Sequence, residues 1–124
     1  MSASILLIED EALIRMMLVE MIEEVGHSVV AEAGDAKKGA ILAADADFDL
    51  AILDINIGGN TVEPIASAIA GRGKPFFFVS GYGSSGVPHA FRGTQVVRKP
   101  CLLSELQAAI ETTLSQQSNK LGPI

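Results

Sequence analysis

The chain has 124 residues, enough for one domain with a sizeable core and little room for a second. Hydrophobic residues make up 48% and charged residues 19%, which excludes disorder as the general state. Fifteen acids against nine bases (formal charge −6) argue against gripping a nucleic-acid backbone, and the single cysteine excludes a disulfide framework and a cysteine-rich zinc site.

Short apolar runs alternate with longer amphipathic ones. Ile5-Leu6-Leu7-Ile8 has the continuous hydrophobicity of a strand covered on both faces, and Glu9-Asp10-Glu11 ends it. Over 11–25 the helical period places Ile14, Met17, Leu18, Met21, Ile22 and Val25 on one stripe, and Gly26 stops the helix. Ser28–Ala33 reads as a second strand. Asp35 is placed to cap a helix running to about Ala44, and Asp45–Asp49 is an acidic connection. Leu50-Ala51-Ile52-Leu53 is a third strand that ends at Asp54. Gly58-Gly59-Asn60 forms a turn, and a helix runs from Thr61 or Val62 to Ala70, with Pro64 in its first turn. Phe76–Val79 is a fourth strand, and Val96-Val97 supplies a short fifth. From Leu102, apolar residues recur at Leu103, Leu106, Ile110 and Leu114 with a helical period. The polar tail Ser115–Ile124, with Gly122-Pro123, is expected to fray.

Strands that alternate with helices imply parallel pairing through right-handed crossovers, hence an open sheet covered on both faces. One segment departs from the rhythm. Residues 81–93 hold four glycines and Pro88, so the fourth helix is expected to be short or irregular, at most a turn or two around Pro88–Arg92. Two readings stand: a tolerant surface loop, or a mobile segment that reports the state of the adjacent site. The expected organisation is one domain over 1–124, with a core of about 4–115 and a polar tail at 116–124. With no apolar run of about 18 residues and no basic N-terminal region, no membrane span or signal peptide is expected, and a cytoplasmic location is.

In open α/β sheets, sites form beyond the carboxyl ends of the strands. Those ends here carry Glu9 and Asp10, Asp54, Ser80 and Lys99. Two unit charges roughly 4 Å apart interact by about 4 kcal/mol at an effective dielectric of about 20, so three carboxylates gathered together must be offset. Lys99 neutralises one charge, and a divalent cation would neutralise two more. Mg²⁺, with its preference for hard oxygen ligands, suits such a set, with Mn²⁺ as the alternative. Asp54 stands where a carboxylate acts as a nucleophile toward phosphorus, with a hydroxyl and an ammonium to hold the transferred group.

With its acidic pair after strand one, Asp54 within Leu53-Asp54-Ile55-Asn56, Ser80 ending strand four and Lys99-Pro100 after strand five, the chain resembles a response-regulator receiver domain of two-component signalling. The resemblance runs from Ile5 to about Leu114. It implies a flavodoxin-like (CheY-like) doubly wound five-stranded parallel sheet. It also implies that Asp54 accepts a phosphoryl group, that Asp10 and Asp54 bind Mg²⁺ with the backbone carbonyl of Asn56, and that Glu9 acts through a metal-bound water. Ser80 and Lys99 would contact the phosphoryl group, with Lys99 first paired to Asp54 and a cis peptide before Pro100. A carboxylate ionised near pH 7 needs no general base for this attack.

Receivers usually carry Tyr or Phe three residues before the lysine, where this chain has Val96. Phe78-Val79-Ser80-Gly81-Tyr82-Gly83 instead resembles the FATGUY subgroup of stand-alone receivers, whose kinases are of the HWE type. The expected switch residues are Ser80, Gly81, Tyr82 and Val96, with Ser80 and the Gly81–Gly86 loop carrying the response in place of an aromatic rotamer at 96. The expected partners are a histidine kinase or a phosphotransfer protein and a downstream protein, with no nucleic acid or membrane, the chain acting as a monomer or weak dimer. Arg15, Met16, Val19, Pro100, Cys101 and Leu102 would form the docking face. His27 and His89 read as ordinary surface residues. The alternatives are a pseudo-receiver that binds proteins without phosphorylation, and an Asp-nucleophile hydrolase. The latter usually carries an acid two residues past the nucleophile, where Asn56 stands here.

Overall fold

The computed structural model describes residues 2–83 and 85–120. The chain runs β1 (Ser4–Ile8), α1 (Ala12–Glu24), β2 (Ser28–Ala33), α2 (Ala36–Asp45), β3 (Leu50–Asp54), β4 (Asn56–Ile57), β5 (Asn60–Thr61), α3 (Glu63–Gly71), β6 (Phe76–Ser80), a 3₁₀ turn (His89–Phe91), β7 (Val96–Arg98) and α4 (Leu103–Lys120). Five of the strands form a parallel sheet in the order β2-β1-β3-β6-β7.

The two-residue period of a strand divides the core between the two faces. Leu6, Ile8, Leu53 and Phe78 point to one side, where Ile65, Ala66 and Ile69 of α3 and Ala43 of α2 cover them. Ile5, Leu7, Ile52 and Phe77 point to the other, against Leu18 and Ile22 of α1 and Leu106, Ala109 and Ile110 of α4. Each of these side chains is almost completely buried, which stabilises the fold by about 1.5–3 kcal/mol apiece for the large ones. Both faces need cover, so β1 is apolar from Ile5 to Ile8 and β3 from Leu50 to Leu53.

Register then positions the site. Ile8 pairs with Leu53, Asp54 with Val79 and Ser80 with Arg98. The carboxyl ends of four neighbouring strands therefore finish at nearly one level, with Glu9, Asp54, Ser80 and Lys99 along the edge.

Several details depart from the sequence expectations. Gly58 and Gly59 do more than turn the chain. Their positive φ angles, 57° and 84°, fit the two central residues of a tight hairpin joining β4 to β5, ahead of a helix that begins at Glu63. The polar stretch after Leu114 does not fray at Ser115 but continues α4 to Lys120, while Gly122-Pro123 lies outside the described residues. His27 is buried, not a surface residue, and its Nδ1 accepts from the Ala3 N–H at 2.9 Å. Between β6 and β7 the helix that the alternation calls for is reduced to the 3₁₀ turn, in line with the glycine content and Pro88. Phe91 in that turn packs edge-on against Phe76 and Phe78, with ring centroids 5.5 and 6.4 Å apart, so aromatic contact anchors the segment where a helix would otherwise lie.

Candidate functional site

Glu9 is fully buried at the end of β1. Its Oε1 lies 2.7 Å from Lys99 Nζ, and its Oε2 accepts from the Glu11 N–H at 3.0 Å. Asp54, nearly buried at the end of β3, has Oδ2 3.4 Å from the same ammonium, while its Oδ1 faces the Asn56 N–H at 3.4 Å. Asp10 is half-buried, and its Oδ2 accepts from the Gly58 N–H at 2.9 Å. Carboxylate oxygens of Glu9, Asp10 and Asp54 all lie within 4.8 Å of one another. Ser80 is buried, its Oγ accepting from the Tyr82 N–H at 3.0 Å and its carbonyl from the Lys99 N–H at 2.9 Å. The Lys99–Pro100 peptide is cis.

The charges are unevenly shared. Burial raises the Asp54 pKa to about 7, with the Glu9 charge adding to the effect and Lys99 opposing it. Asp54 therefore ionises less readily than an ordinary carboxylate. For Asp10, burial pushes upward, but the Gly58 N–H and the adjoining carboxyls outweigh it and hold the group below the ordinary value. Burial also works against the Lys99 charge, yet Glu9 and Asp54 more than compensate and raise its pKa.

These residues open onto a cleft of about 760 Å³ that runs from Asp10 and Asp54 along α1, past Ile14 and Met17, to Pro100 and Cys101. Tyr82, 78% exposed, stands at its rim beside Gly81. Val96 is half-buried and packs with Phe91 against the core, away from the cleft lining. Of the residues expected on a docking face, Met16 and Leu102 are exposed, Pro100 is exposed and Cys101 is half-buried. Arg15 and Val19 are not free surface. Val19 packs on the α1–α4 side of the core, and Arg15, half-buried, reaches across to the exposed Glu32 and to the Glu9 carbonyl.

Two partners were not foreseen in the sequence. Lys99 was expected on Asp54, but its shorter contact is to Glu9. Gly58 as a donor to Asp10 was also missed, although a Gly-Gly pair between Asn56-Ile57 and Asn60-Thr61 carries the signature of a hairpin reaching back toward the strand ends.

Fold and site together define a doubly wound α/β domain with an acidic, lysine-braced pocket at the sheet's carboxyl edge. The model of the response regulator receiver domain matches residues 5–111, and the chain belongs to that family, so its setting is two-component signalling. It is 34% identical over 116 residues to the transcriptional regulatory protein PdtaR of Mycobacterium tuberculosis; the match covers 90% of this chain and 57% of that protein, so the chain spans little more than half its relative's length. Among solved structures, SdrG from Sphingomonas melonis Fr1 is 34% identical with a TM-score of 0.77, covering 90% of this chain and 95% of that one. The PhyR response regulator REC domain of Erythrobacter litoralis is 25% identical with a TM-score of 0.83, covering 99% and 95%. Among the described residues, no helix is long and apolar enough to cross a membrane.

Proposed function

We propose that the domain accepts a phosphoryl group on Asp54 from a phosphohistidine of a kinase or phosphotransfer protein, and passes the signal on by protein contact or by draining phosphate from a shared donor. The observation that supports this most is the Asp54 carboxylate at the cleft, 3.4 Å from the Lys99 ammonium and clustered with two further acids.

The donor set suits Mg²⁺, or Mn²⁺: hard carboxylate oxygens from Asp10 and Asp54, with the Asn56 carbonyl as a further candidate ligand. Glu9 would stay in the outer shell, because both its oxygens are already engaged by Lys99 and the Glu11 N–H. When bound, such a cation offsets the charge of the acids and of the phosphoryl oxygens and favours ionised Asp54.

One Asp54 carboxylate oxygen attacks phosphorus in line with the leaving imidazole nitrogen. The O–P bond forms as the N–P bond breaks, and the imidazole departs with the bonding pair. Lys99, currently shared between Glu9 and Asp54, is in reach of an oxygen of the new acyl phosphate, and the Ser80 hydroxyl offers a donor to another. Ser80 leads directly into Gly81 and Tyr82, so its movement would be felt at the exposed rim.

Incubation with acetyl phosphate and Mg²⁺ is expected to give a single base-labile phosphoryl adduct in the intact mass, absent from Asp54→Ala. No adduct on folded protein supports a phosphorylation-independent binding module instead.

A further inference from the structure

Asp10 sits in the short turn between β1 and α1, and the backbone on either side of it is tied down. The Glu9 N–H donates to the Ala33 carbonyl at 3.1 Å, and the Glu11 carbonyl accepts from the Arg15 N–H at 2.9 Å. Glu9 lies one residue beyond Ile8, the last ladder position of β1. Its carbonyl, belonging to a fully buried residue, takes its donor from a side chain: Arg15 Nη1 at 2.8 Å. The same guanidinium reaches β2, where Nε pairs with Glu32 Oε1 at 3.1 Å. A rigid fork that bonds two elements at once is what a guanidinium offers and an ammonium does not.

The seat of that fork has no room for a side chain. A Cβ on Gly34, just past β2, would lie 2.6 Å from Arg15 Nη1 and 3.3 Å from its Cζ. The atoms in the way are the end of a long side chain, not backbone. An alanine at 34 therefore displaces the guanidinium and leaves the chain path intact.

We infer that Arg15 is a positioning residue for the acidic pair: seated against Gly34, it clamps the Glu9 carbonyl and so fixes the turn that presents Asp10 to a divalent cation and Glu9 to Lys99. This rests on the cation-binding reading of the pocket. The two contacts of the guanidinium run to the Glu9 carbonyl and to Glu32 on β2. Groups that orient metal ligands from behind typically influence affinity by about 10–100-fold, and the clamp falls in that class.

The test is a double-mutant cycle of Arg15→Ala and Gly34→Ala, with Mg²⁺ affinity read from amide chemical shifts and the Glu11 amide exchange rate read without metal. Each single variant is expected to stay folded, to bind Mg²⁺ on the order of 10-fold more weakly and to exchange the Glu11 amide faster. The double variant is expected to be no worse than Arg15→Ala alone, because both changes remove one contact. Wild-type Mg²⁺ affinity and Glu11 exchange in Arg15→Ala, or a Gly34→Ala effect that adds in full to it, overturns the clamp. If the wild-type protein itself shows no Mg²⁺ shifts, the cation-binding reading fails separately, and the metal-free Glu11 exchange rates decide the clamp.

Discussion

Lys99 lies closer to Glu9 than to Asp54, at 2.7 Å against 3.4 Å. The lysine thus neutralises the acid that is fully buried and leaves Asp54 undercompensated. A buried carboxylate that keeps part of its charge uncompensated is costly at rest, and that cost is what a cation or a phosphoryl transfer would relieve.

Removing the Glu9 charge should change Asp54 directly. In Glu9→Gln the repulsion disappears and Lys99 has one acid left to serve, so the Asp54 pKa is expected to fall below its value of about 7. Titration of the Asp54 carboxyl carbon by NMR measures this, and an unchanged or higher value refutes the charge sharing described above.

Removing Lys99 should be worse than removing Glu9. Lys99→Met leaves a fully buried glutamate without its partner and is expected to destabilise the metal-free protein by about 3 kcal/mol in urea unfolding. Glu9→Gln combined with Lys99→Met should recover much of that loss. A double variant as unstable as the sum of the singles would show that the pair is not coupled.

The contribution of Asp54 to the stability of the metal-free protein should fall as pH rises. The folded Asp54 pKa lies above its ordinary value of 3.8, so the folded state binds the proton more tightly than the unfolded one. This contribution is complete below about pH 3.8 and is lost as pH passes about 7. Asp54→Asn should therefore raise the melting temperature more at pH 8 than at pH 5. An equal gain at both would contradict the shift.

The exposed face of α1 should separate docking from chemistry. Met16→Asp, on a 60% exposed side chain, is expected to slow transfer from a histidine kinase while leaving the rate with acetyl phosphate intact. Val19→Asp, by contrast, introduces a charge against the core and should lower stability. Equal kinase rates for wild type and Met16→Asp would remove α1 from the contact.

The aromatic anchor gives a further expectation. Phe91→Ala strips the ring that packs on Phe76 and Phe78, and should accelerate amide exchange across 85–93 while the exchange of β3 stays slow. Unchanged exchange there would mean that the segment is held by other contacts.

Most of the architecture was legible because it follows from periodicity. The runs Ile5–Ile8 and Leu50–Leu53 are apolar at every position, which requires cover on both faces, and the glycine-rich segment before Val96 opposes a long helix between β6 and β7. The convergence of Glu9, Asp10, Asp54 and Lys99 at one edge also follows from parallel topology alone. What did not follow were contacts that depend on side-chain reach. A helical wheel assigns Arg15 to the surface by its angle, but the long side chain folds back over the turn to the Glu9 carbonyl. The choice of Lys99 between two acids is a matter of tenths of an ångström, and His27 is buried by a backbone donor, Ala3, that sequence spacing gives no reason to place there. Helix α4 outlasts its apolar stripe because a polar continuation needs only its own backbone hydrogen bonds.

The most direct measurement is chemical mapping of the phosphorylated carboxylate. After incubation with acetyl phosphate, borohydride reduces an aspartyl phosphate to homoserine, which mass spectrometry locates in the chain. The account predicts homoserine at position 54 alone, formed with Mg²⁺ and lost with a chelator. Homoserine at Asp10, or its formation at 54 regardless of the cation, would contradict it.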